Sequence, residues 1–340
     1  MNTRHLLAIA AALLAVRCDT APSASRPPPA LAPPAGAVAS EPELNGTVVS
    51  LGAPIQSSQC AQPLLRKGGP LPLGCGMNGP LLSSSLAWVS LSPVTLAGGQ
   101  ALDAPAVLAG TSFSGTAVGA PVHGADFVGA RFEGVLASGS PVAIRIDSAT
   151  PGSGAQADVW RYGFSYQGSA GDWQALCSSG AGAVPVLGRW DYSQGTATGG
   201  SKTNDPAVFT IGCEGSAIEK CVNLGYKPWA STSGVPLDPH HQACVRLIRA
   251  DYCGDGYSQT TEGRVINLYD GIGIQDDTET WLMEAEWTPA GARCVNLLNR
   301  SLLGVLCAPL LGMVSCGATS HFGTGTLLMS ETPLGPVDLP

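Results

Sequence analysis

Apolar and polar positions alternate with a period of two along several short stretches of the chain. Such alternation, combined with β-branched and aromatic residues, predicts strands that bury one face. Residues 43–52 (ELNGTVVSLG) are predicted to form a strand and turn at the start of the folded part. The remaining predicted strands are residues 141–148 (PVAIRIDS), 157–168 (ADVWRYGFSYQG), 207–213 (AVFTIGC), 263–270 (GRVINLYD) and 280–287 (TWLMEAEW).

One stretch has the pattern of a helix. Asp238 is predicted as its N-cap and Pro239 as its first helical residue, followed by residues 240–250 (HHQACVRLIRA). The predicted fold class is therefore mainly β, a β-rich α+β fold stapled by disulfides. It has one short helix near residues 239–251 and a Gly-rich β region before it.

Composition divides the chain into five parts. Six of the seven Trp, all seven Tyr and eight of the eleven Cys follow residue 150, which indicates a second, denser unit there. The predicted parts are a signal peptide (1–18), a Pro/Ala-rich linker (19–43), a Gly-rich β region (44–150), a Cys- and aromatic-rich domain (151–320) and a C-terminal tail (321–340).

Glycine recurs every fifth residue from Gly119 to Gly139. Phe127 and Phe132 hold matching places in this spacing, which is the pattern of a pentapeptide β-solenoid. A solenoid needs several stacked coils to bury a continuous core, and the spacing ends after a few units. A Gly-rich β segment is therefore the favoured interpretation.

The first residues have the pattern of an export signal. Leu6–Val16 is an apolar run of eleven residues, too short to span a bilayer and typical of a signal peptide. Cys18 follows, at the place where bacterial lipoproteins receive their lipid, although Arg17 is not the small residue expected before it. Cleavage near Ser23 or Ser25 is the alternative. A lipid on Cys18 would anchor the protein to a membrane. The predicted localisation is the cell envelope, as an outer-membrane or periplasmic lipoprotein, or the extracellular space.

The cysteines support export. Without Cys18, ten remain, enough for five disulfides in an oxidising compartment, and no CxxC pair or Cys/His array indicates zinc. Their spacing suggests local loops between Cys213 and Cys221, Cys60 and Cys75, and Cys307 and Cys316. Cys253 could reach Cys244 or a more distant partner. The disulfide candidates are Cys60, Cys75, Cys177, Cys213, Cys221, Cys244, Cys253, Cys294, Cys307 and Cys316.

Charge excludes one class of partner. Only 12% of residues are charged, the net charge is −8, and no dense basic run occurs. Nucleic-acid surfaces need clustered Lys and Arg, so we expect no nucleic-acid partner.

Residues 250–263 (ADYCGDGYSQTTEG) come close to a calcium loop. Asp251, Asp255 and Glu262 take positions one, five and twelve, with Gly256 at the turn. Cys253 occupies position three, where an oxygen ligand belongs, and a strand follows instead of a helix. A disulfide corner with a solvated acidic face is the favoured interpretation. Calcium is the minor alternative, and no other cofactor is expected.

The same stretch carries a family resemblance. The motif of Ala250, Asp251, Tyr252 and Cys253, with the surrounding ACVRLIRADYCGDG, TTEGRVINLYDG and EAEWTPAGARC, resembles the bacterial ADYC-domain family. The resemblance covers roughly residues 158–317. It implies an exported or lipid-anchored protein, and it implies no activity and no catalytic residues.

No catalytic motif decides the function. His240 and His241 beside Asp238 could supply a general base, but a structural role is commoner for such a pair. Asp270, Asp276 and Asp277 suit turns as well as catalysis, and core packing is favoured over glycan stacking for Trp229, Trp281 and Trp287. The prediction is a binding or structural protein of the envelope, with an envelope protein or a glycan as partner. A secreted hydrolase or carbohydrate-active protein with a carboxylate or His site is the alternative.

Overall fold

The computed structural model describes residues 48–50, 86–177, 182–260, 265–301, 305, 315–317, 322 and 324–333, with the backbone alone for 48–50. Several predicted features lie outside these residues. They are the signal peptide, the linker, Cys18, Cys60, Cys75, Glu262 and Cys307.

The fold is mainly β, as the alternation predicts. Within the described residues there are two α-helices, α1 (Ala217–Asn223) and α2 (Asp238–Arg249). The strands are β1 (Val48–Ser50), β2 (Leu86–Ser90), β3 (Val107–Ala109), β4 (Ser112–Ala117), β5 (Ala120–His123), β6 (Arg131–Leu136), β7 (Pro141–Thr150), β8 (Arg161–Gln167), β9 (Trp173–Ala175), β10 (Ala183–Leu187), β11 (Arg189–Trp190), β12 (Lys202–Thr203), β13 (Val208–Cys213), β14 (Ser231–Thr232), β15 (Val235–Pro236), β16 (Val265–Asp270), β17 (Leu282–Thr288), β18 (Gly291–Val295) and β19 (Leu328–Thr332).

Six antiparallel strands close into a barrel. Their order is β10, β13, β2, β6, β7 and β8, and the pairing of Ala183 with Tyr162 joins β10 back to β8. Phe113 of β4 is fully buried, and its ring contacts Phe127, Phe132, Tyr162 and Phe209 with centroids 5.1–5.5 Å apart. The barrel uses strands from both sides of residue 150. The change of composition there does not mark its end.

The five-residue glycine spacing forms turns and one strand, and no solenoid. Gly124 (φ 50°) begins a single turn of 3₁₀ helix, and a Cβ there would lie 2.5 Å from the Trp160 ring. Gly134 lies within β6. Phe127 and Phe132 both point into the barrel core. The Gly-rich β interpretation is confirmed.

A second antiparallel sheet has the order β1, β16, β19, β17, β18. Helix α2 packs against it, and the core between them includes Val245, Ile266, Leu268, Trp287 and Leu328. The central strand, β19, lies in residues 321–340, which the sequence analysis assigned to a tail. That assignment is wrong for Leu328–Thr332, because all five of these residues are buried in the sheet.

Helix α2 is confirmed with one change at its start. Leu237 is the N-cap, and Asp238 is the first helical residue. Ala250 ends the helix in the left-handed conformation (φ 53°, ψ 40°). Helix α1 was not predicted. Its N-cap is Ser216, whose side chain accepts a hydrogen bond from the backbone N–H of Glu219.

The disulfides differ from the local loops that spacing suggested. Within the described residues the bonds join Cys177 to Cys213, Cys221 to Cys244, and Cys294 to Cys316. Pairings of Cys213 with Cys221, Cys253 with Cys244, and Cys307 with Cys316 are therefore wrong. Each of these bonds spans at least 22 residues, because the packing of the sheets and helices brings together segments that are distant in the chain. Cys253 is disulfide-bonded as well.

These bonds indicate an oxidising environment, as for an exported protein. Among the residues the structure describes, no helix has both the length and the apolar character that a membrane span requires.

Candidate functional site

Two carboxylates meet in an open cleft at one face of the second sheet. Asn267 of β16 pairs directly with Glu331 of β19, and the loop after β16 brings Asp277 over both. Asn267 Nδ2 donates to Asp277 Oδ1 at 2.7 Å and to Glu331 Oε2 at 3.1 Å. One amide group therefore holds two acidic side chains together.

The two carboxylates have different surroundings. Glu331 is 7% exposed, whereas Asp277 lies at the exposed mouth. Burial raises the pKa of Glu331, and the negative charge of Asp277 raises it further, against the lowering effect of hydrogen bonds from Asn267 and Tyr269. Burial, followed by the charge of Glu331, also raises the pKa of Tyr269. Glu331 thus keeps its proton more readily than a solvated glutamate does.

Below both carboxylates, Asn267 is fully buried and its Oδ1 has no hydrogen-bond partner among the described residues. Buried polar atoms are nearly always paired, and exceptions occur at functional sites or where a water is held. The buried amide that holds the two carboxylates therefore keeps one unsatisfied acceptor.

The cleft has a volume of about 670 Å³. The aromatic residues Trp281 and Tyr269 line it, as do Leu297 and Leu298, both of which are exposed. None of its described lining residues is basic. The other lining residues are Leu282, Met283, Asn296, Ser315 and Gly317. The surface combines aromatic and apolar patches with hydrogen-bond acceptors and negative charge.

The ADYC motif lies elsewhere and is structural. Tyr252 is fully buried, stacks on Trp287 with centroids 5.1 Å apart, and donates to Glu284 at 2.7 Å. Glu284 in turn pairs with Arg300, whose Nε lies 3.1 Å from Oε1. The motif therefore joins the end of α2 to β17 through a buried polar network.

The calcium-loop residues have partners within the protein. Asp251 is fully buried, pairs with Arg246, and accepts from the backbone N–H groups of Asp255 and Gly256, both at 3.1 Å. Asp255 accepts from the backbone N–H of Tyr257 at 3.1 Å. Calcium at this loop stays a prediction. The carboxylate of Asp251 acts here as the anchor of a turn.

The histidines are buried in the helix packing. His241 is fully buried, its Nε2 lies 3.2 Å from the carbonyl oxygen of Ile218, and burial lowers its pKa to about 3. His240 stacks on Tyr226, and burial lowers its pKa too. Neither is brought to the carboxylate pair by the described contacts.

The remaining candidates divide between core and cleft. Trp287 is a core residue, as predicted, and Trp229 is partly buried with its Nε1 donating to Asp158. Asp270 accepts four backbone N–H groups of the following turn, so its role is structural. Only Asp277 and Trp281 of the candidates reach the cleft. Sequence reasoning missed Asn267, Tyr269 and Glu331, although the apolar run before Glu331 indicates a strand.

One other group of potential metal ligands occurs in the described residues. Glu286, Cys294 and Cys316 lie close together and are buried. The two cysteines form a disulfide, so they offer no thiolates.

The comparisons with known proteins agree with the motif. A family model, the ADYC domain, matches residues 124–301, which begins earlier than the resemblance suggested and includes part of the barrel. No curated protein and no solved structure matches the chain.

Proposed function

The chain belongs to the ADYC-domain family, and on this premise we propose that it is an exported, lipid-anchored envelope protein that binds a neutral glycan. The binding site is the cleft of Asp277, Glu331 and Trp281. The observation that carries the proposal is the combination in one cavity of aromatic rings and a carboxylate pair without a basic residue.

The charge of the cleft selects the class of ligand. The Asp277 carboxylate at the exposed mouth repels anions, and no Lys, Arg or His among the described lining residues offsets it. Phosphorylated and carboxylated ligands are therefore disfavoured. Hydroxyl groups suit the cleft because carboxylates accept hydrogen bonds from them.

The aromatic residues favour a sugar among neutral ligands. A sugar ring has an apolar C–H face and a polar edge, so it can cover Trp281 while its hydroxyl groups reach the carboxylates. Trp281 is partly buried, its backbone is hydrogen-bonded to Glu331, and it lines the cleft together with the exposed Leu282. A ligand with both kinds of surface fits this arrangement better than a wholly polar or wholly apolar one.

The sugar proposal predicts a loss of binding on removal of one ring. With cellohexaose and chitohexaose as probes, Trp281→Ala should weaken the binding of whichever probe the protein binds by about tenfold or more, equivalent to about 1.4 kcal/mol. Isothermal titration calorimetry measures the affinity. The matched control is Trp229→Ala, another partly buried Trp that lies outside the cleft. Equal weakening by both substitutions, or no binding of either probe, would contradict the proposal.

The anchor rests on the leader and on the disulfides. The apolar run before Cys18 supports export, and the disulfides are those of a protein that folds outside the cytosol. Mass spectrometry of the mature protein from a bacterial host should find a diacylglyceryl group on Cys18, absent in Cys18→Ser. A mature chain that begins beyond residue 20 would refute the anchor and leave export in place.

A further inference from the structure

We propose that the cleft also hydrolyses the glycosidic bond of its ligand, with Glu331 as the acid/base and Asp277 as the nucleophile. This inference rests on the proposed glycan binding and assigns a reaction to the same site. It is argued from the separation of the two carboxyl groups, their unequal burial and the unsatisfied amide beneath them.

The separation of the two groups fits one reaction geometry. Asp277 Oδ1 and Glu331 Oε2 lie 2.7 and 3.1 Å from the same nitrogen, Asn267 Nδ2. The distance between these two oxygens therefore cannot exceed the sum of those two distances. Retaining glycosidases hold their carboxyl groups about 5–5.5 Å apart, and inverting ones about 6.5–9.5 Å. This upper bound lies below the inverting range and includes the retaining range, so the pair is compatible with retention, in which one carboxylate attacks the sugar directly.

The surroundings assign the two roles. Glu331 is the buried carboxyl group of the pair, and burial together with the charge of Asp277 raises its pKa, the direction that an acid requires, although hydrogen bonds from Asn267 and Tyr269 act against it. Asp277 is exposed, and in the described part of the chain it is held through Oδ1 alone. Its second oxygen, Oδ2, is then the atom that can attack the sugar.

The reaction balances in two steps. Glu331 gives its proton to the glycosidic oxygen as the bond from that oxygen to C1 breaks, and Asp277 Oδ2 forms a bond to C1. The leaving alcohol departs with the proton. Water then attacks C1 and gives one proton to the Glu331 carboxylate, while the bond to Asp277 breaks. The products are two shorter glycans, and both side chains return to their first state.

Asn267 is a positioning residue in this scheme. Its amide donates to both carboxylates, so it keeps the acid and the nucleophile at a fixed separation. Across the sheet it pairs directly with Glu331, so the strand register itself sets this geometry.

The test uses the mature protein with cellohexaose and chitohexaose, and reducing ends are measured from pH 4 to pH 8. The wild type should cleave a probe that it binds, and Asp277→Asn and Glu331→Gln should each lower the rate by about 100-fold or more. Asp276→Asn, an exposed neighbour outside the cleft lining, should keep the rate. Binding that persists in a wild type unable to cleave either probe would overturn the reaction and leave glycan binding in place.

A second substrate shows whether Glu331 acts as an acid or has only a structural role. A 2,4-dinitrophenyl glycoside of the bound sugar needs no proton on its leaving group, so Glu331→Gln should regain most of the first step, seen as a burst of dinitrophenol. Asp277→Asn should give no burst. If Glu331→Gln does not fold, the burst measured with Asp277→Asn, a substitution at an exposed residue, tests the proposal alone. Equal loss of the burst in two folded variants would contradict the role of Glu331.

Discussion

Replacing Asp251 with alanine is expected to lower the free energy of unfolding by about 3–5 kcal/mol, the range for breaking a buried ion pair. The carboxylate pairs with Arg246, which is 1% exposed, and also accepts two backbone N–H groups of the following turn. Its removal leaves the buried Arg246 cation without its counter-ion and leaves one buried and one partly buried N–H group without this acceptor. Urea denaturation followed by far-UV circular dichroism measures the change.

The control for this experiment is Asp276→Ala, an exposed acid in the same half of the chain, which should change stability by less than about 0.5 kcal/mol. Similar values for the two substitutions would show that the Asp251 pair is not structural.

The wild type and Asp251→Ala also test the calcium alternative. If calcium binds this loop, the wild-type melting temperature rises when the ion is added, and the rise is lost in Asp251→Ala.

Acidification is expected to destabilise the protein through His241. This side chain is fully buried, and burial lowers its pKa to about 3 from the usual 6.5, with Lys202 lowering it further and Asp238 opposing. Between pH 6.5 and pH 3 the unfolded chain therefore binds a proton that the folded chain does not. Stability from this residue is complete above pH 6.5 and falls by about 1.4 kcal/mol per pH unit below it.

The difference between the wild type and His241→Gln isolates this effect, because glutamine keeps a donor for Ile218 and does not titrate. The free energies of unfolding of the two proteins should converge, or cross in favour of the variant, as the pH falls from 7 to 4. His240→Gln, at the neighbouring histidine, is the matched control. A difference for His241→Gln that stays constant with pH would show that His241 protonates in the folded state.

Local pattern predicts several of the longer elements of this fold. The stretches with alternation overlap β7, β8, β13, β16 and β17, and the capped segment after Asp238 is α2. Helix α1 was missed because seven residues are too few to show a helical period. Its sequence signal is the Ser216–Glu219 spacing of a capping box, four residues that are easily overlooked.

Local sequence pattern could not predict which residues far apart in the chain come into contact. No feature of the sequence predicts that Ala183 meets Tyr162 and closes the barrel, and cysteine spacing favoured short loops over the bonds that sheet packing forms. The carboxylate pair of the cleft could not be predicted for the same reason. Asp277 was noted as a turn residue, whereas Glu331 follows it by more than fifty residues and meets it only through the pairing of β16 with β19.

The position of β19 also constrains the order in which the chain can fold. The barrel strands are complete at Cys213, whereas β19 is the last described strand and lies between β16 and β17. During synthesis or translocation from the N-terminus, the barrel can assemble while β16 and β17 still have unpaired edges. The second sheet, and with it the carboxylate cleft, can form only after Leu328–Thr332 has emerged. In folding from the N-terminus, the cleft cannot be complete before β19, the last strand among the described residues, is in place.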